Sequence, residues 1–237
     1  MIIVVPARSR AIHILKLNIM KIFKNILPWA TIMLLVGSAI YYSILTVLEV
    51  ILPVIATFII AFIYFAISEA TYWANAKKKM LETGEKISIW NNIAMHAGFV
   101  NVTIVTIAVI GTALWKGNFV TDFNSFHYFC LGLSAFILFI WKVTKNPVLS
   151  FLLMQLIAII AYLPMFSRVL TMDIQTESNV MWIAILLASI TAIPKVIKGY
   201  KEQKDWLGFV YVGRVIPINL ILVYLVFAKD YGLYPFI

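Results

Sequence analysis

The sequence predicts an all-α, polytopic membrane protein with seven transmembrane helices. Three observations predict this class: a high apolar content, seven long apolar segments, and a bias of lysine and arginine toward alternate connections between those segments. Of the 237 residues, 63% are hydrophobic and only 12% are charged, and the mean hydropathy is +0.97. A soluble domain is about half apolar and a quarter charged, so this chain carries more apolar side chains than a water-soluble core buries.

A transmembrane helix needs about 20 consecutive, mostly apolar residues. Seven segments within one transmembrane domain, residues 26–228, meet this length, and they are residues 26–47, 50–74, 90–114, 125–143, 149–168, 179–198 and 206–228. Before them, residues 1–25 alternate apolar and basic side chains, which is typical of an amphipathic helix on an anionic membrane surface. A basic flank without regular structure is the alternative. Residues 229–237 form a short tail.

Lysine and arginine are distributed unequally between the two sides of the predicted bundle. Of the 19, fifteen lie before the first segment or in the second, fourth and sixth connections, whereas Lys116, Arg168 and Lys229 lie on the other side. Because cytoplasmic loops are rich in these residues, we expect a multi-pass protein of the cell (inner or plasma) membrane with a cytoplasmic N-terminus and an outer C-terminus. The net charge of +9 is then an orientation signal, and we expect no nucleic-acid partner.

The seven segments can be grouped into an internal repeat, a common feature of transporters. In one grouping, two three-helix units flank a linker helix in a 3+1+3 bundle, and the first unit, linker and second unit are residues 26–114, 125–143 and 149–228. Asn101 follows Trp90 by eleven residues. In a similar way Asn219 follows Trp206 by thirteen, and both asparagines fall near mid-membrane. The rival grouping joins the second, third and fourth segments into a unit inverted relative to the last three.

The segment LIAIIAYLPMFSRVLTMDIQTESNVMWIAILLASI, residues 156–190, resembles the first two helices of a PQ-loop (SWEET-like, transporter-opsin-type) unit. The resemblance covers mainly residues 149–228. In that family a helix ends in a proline motif, a short polar loop follows and the next helix begins. Pro164 corresponds to the motif proline, and it is followed by Met165 where the family has glutamine.

The resemblance also implies roles for two further residues. Asn219 is similar in placement to the asparagine that faces the solute from the third helix of such a unit, and Trp182 is similar to a tryptophan of the second helix. The family resemblance implies a facilitator of a small polar solute, and it leaves the solute unnamed.

Four predicted helices each place one strong polar group in a common layer of the cytoplasmic half. Counted from the cytoplasmic helix ends at 1.5 Å per residue, Glu69, His96, Gln155 and Arg214 lie about 7 to 12 Å deep. An ionisable residue in a span is a functional hypothesis by default. We expect Glu69 and Arg214 to form an ion pair, with His96 and Gln155 completing a gate or coupling network beside the solute path. A purely structural pair, or an arginine that snorkels toward the headgroups, is the alternative.

Other polar features have both functional and structural interpretations. Pro217 within the last span frees the Gly213 carbonyl and kinks the helix, so we predict a hinge there and a second one at Pro164. Asn101 is predicted to line the solute path together with Asn219, Trp182 and Gln155, although amides in spans more often bond neighbouring helices. Glu177, in an outer loop, caps a helix or contacts a solute.

We therefore expect a transporter of a small polar solute that works by alternating access through a central path. The alternatives are an oligomeric ion channel and a non-transporting membrane scaffold or receptor. The sequence has no nucleophile-centred motif and no suitably spaced acid pair, so an enzyme is not expected. Three scattered histidines and one cysteine predict no metal site and no cofactor. The expected partners are the lipid bilayer, the solute and further copies of the chain in a homo-oligomer.

Overall fold

A computed structural model describes residues 7–84, 88–117, 123–144, 146–171 and 176–231, without the side chains of residues 7–25, 89 and 147. The α-helices are α1 (Ala7–Val47), α2 (Ile55–Thr83), α3 (Ile93–Lys116), α4 (Ser125–Val143), α5 (Pro147–Thr171), α6 (Asn179–Gln203) and α7 (Leu207–Asp230), and a 3-10 turn at Ile89–Asn92 precedes α3. Each α-helix contains a stretch long and apolar enough to cross a membrane, and the described ranges contain no strand. The predicted all-α, seven-span fold class is confirmed.

The helices differ from the predicted segments mainly at their ends. The backbone of α1 is helical from Ala7, so the predicted N-terminal segment continues into the first span, and α2 extends to Thr83. Residues 1–6 of the predicted N-terminal segment and residues 232–237 of the predicted outer tail lie outside the described residues. The amphipathic character predicted for residues 7–25 rests on side chains that are likewise outside the description.

Local sequence signals explain several helix ends. α2 and α3 end at Gly84 and Gly117, whose φ angles of 72° and 71° lie in the left-handed region that glycine adopts without steric cost. At the start of α4, the Asn124 side chain accepts a hydrogen bond from the His127 amide at 2.9 Å. Asparagine is a preferred N-cap because it satisfies an amide that has no partner in the helix. These residues explain where α2 and α3 end and where α4 begins.

Six of the helices form a ring. α3 packs between α1 and α2, and α7 packs between α5 and α6. The ring closes through contacts of α1 with α6 and of α2 with α5, which gives the order α1–α3–α2–α5–α7–α6. α4 packs outside the ring against α5 and, over a smaller area, α2. The ring places one face of each of its six helices toward a common interior.

The outer surface of the bundle is apolar. Large side chains such as Ile107, Phe136, Phe139 and Tyr224 are between 59% and 69% exposed. An apolar surface of this extent on long apolar helices indicates contact with the lipid bilayer. We call the end with the α2–α3, α4–α5 and α6–α7 connections the basic end, because of its exposed lysines Lys77, Lys78, Lys142, Lys198 and Lys201. The opposite end, with the α1–α2, α3–α4 and α5–α6 connections, is the far end.

Candidate functional site

A cavity lies inside the ring, and all six ring helices contribute to its wall. Its volume is about 50 Å³, measured as the space open to the centre of a water molecule. One water needs roughly 10–15 Å³ on that scale, so the cavity has room for a few waters or a small organic molecule. Most of its wall is apolar, and the polar groups come from Thr57, Tyr64, Asn101, Tyr162, Trp182 and Tyr211.

The two asparagines predicted to face a solute occupy different places. Asn101 lines the cavity, and its Nδ2 donates to the Leu35 carbonyl at 2.7 Å and to Ser38 Oγ at 3.3 Å, which ties α3 to α1. Asn219 is fully buried and donates to the Val215 carbonyl of its own helix at 2.7 Å. The structure thus brings Asn101 to the cavity wall and leaves Asn219 behind it.

Arg214 is buried behind the cavity wall, with 7% of its surface exposed. Its Nε donates to Gln155 Oε1 at 2.9 Å, and its Nη2 donates to the Tyr64 hydroxyl at 2.8 Å. The guanidinium carbon lies 5.2 Å from the ring centroid of Tyr64 and 5.4 Å from that of Tyr211, which is within cation–π range. Tyr162 is a third tyrosine in its surroundings. The guanidinium is held inside the bundle, so the snorkelling alternative is wrong.

The predicted ion pair between Glu69 and Arg214 is wrong. Both carboxylate oxygens of Glu69 lie 2.8 Å from His96 Nδ1, and Trp73 donates to Glu69 at 3.2 Å. The reason is helix register: Arg214 meets α2 at Tyr64, and Glu69 lies five residues, or about 7.5 Å, further along that helix. The four residues of the predicted layer therefore form two separate pairs, Glu69–His96 and Arg214–Gln155. None of the described hydrogen bonds joins Glu69 to Arg214.

A buried carboxylate lies at the far end of the bundle, next to a residue of the cavity wall. Glu177, just before α6, is 1% exposed and accepts hydrogen bonds on Oε2 from the Tyr42 hydroxyl at 2.8 Å and from Trp182 Nε1 at 3.2 Å. Burial raises the pKa of Glu177 to about 8, and the two hydrogen bonds and the charge of Arg168 lower it by less than burial raises it. Trp182, a predicted pathway residue, also lines the cavity and so connects its wall to this carboxylate.

A second tyrosine–carboxylate bond lies at the basic end. Asp205, between α6 and α7, accepts a hydrogen bond from the Tyr72 hydroxyl at 3.0 Å. Burial raises the pKa of Asp205, against the opposing effect of its hydrogen bonds and of the charge on Lys79. Lys79 also donates to the Gln203 carbonyl, and Asn91 donates to the Gln203 side chain. These bonds connect the α2–α3 region to the α6–α7 region, so they hold the two halves of the ring together at this end.

The sequence interpretation missed the tyrosines around Arg214. Tyrosines in membrane helices concentrate at the interface, so composition alone did not indicate a buried cluster. One signal was present: Tyr211 precedes Arg214 by three residues and therefore shares its helix face. Tyr64 and Tyr162 lie on other helices, and nothing in the sequence pairs them with Arg214.

The predicted hinge prolines lie inside continuous helices. α5 runs through Pro164 and α7 through Pro217 without a break in the helix, so their role as hinges stays a prediction. Among the described residues, no group of three or more His, Cys, Asp or Glu side chains could hold a metal ion.

No protein-family model, no curated protein and no solved structure matches this chain. The described residues themselves provide three features that bear on function: a central cavity, a buried arginine, and two tyrosine–carboxylate hydrogen bonds.

Proposed function

We propose that the chain is a membrane carrier that moves a small polar solute by alternating access through the central cavity. One observation carries the proposal. The cavity lies between a first group of helices, α1 to α3, and a second group, α5 to α7, and a hydrogen bond joins the two groups at each end of the bundle. The Tyr42–Glu177 bond joins them at the far end, and the Tyr72–Asp205 bond joins them at the basic end. A carrier of this kind opens by breaking the contacts at one end while those at the other persist.

The packing order supports the PQ-loop (SWEET-like) resemblance and the 3+1+3 grouping. In each group the third helix packs between the other two: α3 between α1 and α2, and α7 between α5 and α6. A two-fold rotation that exchanged the two groups would exchange the α1–α6 contact with the α2–α5 contact, as the ring order allows. In the rival grouping α4 would be a member of the first unit, yet it packs outside the ring. The parallel repeat with α4 as the linker is therefore the arrangement we propose.

The placement of charge supports an orientation within a cell membrane. Exposed lysines concentrate at the basic end, and such residues are characteristic of the cytoplasmic face. We propose that the basic end and the N-terminus are cytoplasmic and that the far end is outside. A carrier needs neither a catalytic group nor a cofactor, and we propose none.

Uptake into liposomes tests the carrier. Candidate solutes are first ranked by the rise in Tm they cause, because a bound ligand stabilises the folded protein by mass action. We expect uptake that saturates and that unlabelled solute inhibits. Flux that rises linearly with concentration, or single-channel currents, would contradict the carrier and favour an oligomeric channel. The absence of flux for every solute would favour a scaffold.

Two glycines of α3 provide a matched pair of variants for this assay. A Cβ added at Gly98, in the cavity wall, would lie 2.7 Å from the Tyr211 hydroxyl and 3.0 Å from Phe65, whereas one added at Gly111 meets nothing within 4 Å. We expect Gly98→Ala to lower saturable uptake by about tenfold or more, since it narrows the site by overpacking. Gly111→Ala should retain wild-type uptake. Equal uptake by both variants would contradict a path through this cavity.

A further inference from the structure

Among the described residues, no carboxylate forms an ion pair with Arg214. Arg214 donates to the amide of Gln155 and the hydroxyl of Tyr64, and the Tyr162 hydroxyl also interacts with it; all three groups are neutral. Two carboxylates of the bundle are engaged elsewhere: the partly buried Glu69 with His96, and the buried Glu177 with Tyr42. A guanidinium is always charged in proteins, and a buried charge without a counter-charge is costly. A bound anion would supply the missing charge.

Three hydrogen-bond donors at this site are left over for such an anion, and one of them is the buried Nε2 of Gln155, which has no hydrogen-bond partner among the described residues. Nη1 of Arg214 is buried and has no hydrogen-bond partner among the described residues. The Tyr64 hydroxyl accepts from Nη2, so its own hydrogen remains to be donated. A hydroxyl that already accepts from a cation is polarised, and it becomes a stronger donor.

The guanidinium lies directly behind the cavity wall. Tyr64 and Tyr211, whose rings contact it, both line the cavity, as does Val215, the next residue of α7. The remaining wall is mainly apolar and aromatic, with Phe58 and Phe65 among its residues. A ligand that fits this wall has a small apolar body and one acidic group. A carboxylate is the acidic group whose planar geometry matches a guanidinium.

We propose that the central cavity binds a small organic carboxylate, with its acidic group toward Arg214 and the Tyr64 hydroxyl and its apolar part against the aromatic wall. The proposal rests on the carrier function and names the chemical class of its solute.

Binding of matched carboxylates and amides to the purified full chain tests the solute class. Acetate, butyrate and benzoate are each compared with the neutral amide of the same shape, by Tm shift and by calorimetry. We expect at least one carboxylate to bind roughly 10- to 100-fold more tightly than its amide, because the amide lacks the charge-assisted bonds. Equal binding of acid and amide, or no binding of any of the three carboxylates, would overturn the proposal.

Two pairs of variants locate the site. Arg214→Gln should remove the preference for the carboxylate, whereas Lys142→Gln, which removes an exposed charge at the basic end, should keep it. Should Arg214→Gln fail to fold, the pair Gly98→Ala and Gly111→Ala takes its place: only the first should weaken carboxylate binding, by about tenfold or more. Carboxylate binding that survives both Arg214→Gln and Gly98→Ala would overturn the assignment to this cavity.

Uptake separates the failure of this proposal from the failure of the carrier. Saturable uptake of a neutral solute that is unchanged in Arg214→Gln would overturn the carboxylate and leave the carrier. Carboxylate binding that depends on Arg214 without saturable uptake would overturn the carrier and leave the binding site.

Discussion

Glu177 and Arg214 are both buried, and their surroundings affect charge in opposite ways. Glu177 receives two hydrogen bonds on a single oxygen, yet burial dominates and raises its pKa to about 8. At neutral pH this carboxyl group is therefore mostly protonated. Arg214 remains charged, and aromatic rings and neutral polar groups surround its guanidinium. The far-end bond thus carries little charge, whereas the site behind the cavity carries a full positive charge.

The raised pKa of Glu177 predicts how stability depends on pH. The folded pKa of about 8 exceeds the ordinary value of 4.5, so the folded protein binds this proton more tightly than the unfolded chain does. The resulting stabilisation is fully present below about pH 4.5 and is lost as the pH rises through about 8, with a slope of up to about 1.4 kcal/mol per pH unit. We expect the Tm in detergent to fall over this range.

Two variants isolate the contribution of Glu177. Glu177→Gln should make the fall of the Tm between about pH 5 and 8 less steep, since one titrating group is gone while Asp205, whose pKa burial also raises, remains. Glu82→Gln, which removes an exposed carboxylate of α2, should leave the wild-type slope. A slope in Glu177→Gln as steep as that of the wild type would show that Glu177 does not contribute to it.

At the scale of helices, the number and position of the spans were predictable, whereas the helix ends and the contacts between helices were not. Seven apolar stretches of sufficient length identified α1 to α7, because hydropathy depends only on each segment itself. The partner of Glu69 depends on how far α2 slides relative to α3 and α7. Spacing within one helix cannot report that distance, so the sequence did not show that Glu69 meets His96 and not Arg214. Contacts that stay within one helix, such as Trp73 to Glu69, are the kind that a sequence can predict.

The two tyrosine–carboxylate bonds predict opposite effects on access to the cavity. Tyr72→Phe removes the basic-end bond and Tyr42→Phe removes the far-end bond. One lost hydrogen bond of about 1 kcal/mol shifts an equilibrium between two states about fivefold. We expect Tyr72→Phe to favour opening at the basic end and Tyr42→Phe to favour opening at the far end.

The rate of alkylation of a cavity cysteine measures this shift. Ala61→Cys, in the cavity wall, is combined with Cys130→Ser so that only the new thiol reacts. A maleimide added from the basic side should react about fivefold faster in Tyr72→Phe, and one added from the far side should react faster in Tyr42→Phe. Tyr200→Phe, at an exposed tyrosine near the basic end, should change neither rate. Equal acceleration from both sides would contradict separate gates.

At the scale of the whole molecule, the internal repeat was the feature least accessible from sequence. Asn101 and Asn219 suggested the repeat, yet Asn101 bonds α1 whereas Asn219 bonds its own helix. The support for the proposed repeat comes instead from the order of helices around the ring. That order depends on which apolar faces meet, and apolar side chains facing lipid and apolar side chains facing another helix look alike in a sequence. The two kinds of apolar side chain can therefore be told apart only in the folded bundle, where one kind is exposed and the other is buried.

The position of α4 makes the topology testable. α4 lies outside the ring and is the least buried of the spans, yet the orientation of the whole second group depends on its crossing the membrane. Two cysteine substitutions test whether α4 crosses the membrane. Lys116→Cys lies at the end of α3, before α4 begins, and Lys142→Cys lies in the last turn of α4. Each is made together with Cys130→Ser. On intact cells an impermeant maleimide should label only Lys116→Cys, and permeabilisation should expose Lys142→Cys, while Cys130→Ser alone stays unlabelled. The reverse pattern would contradict a cytoplasmic basic end. Labelling of both positions from outside would mean that α4 does not cross the membrane, and this result would exclude a parallel repeat.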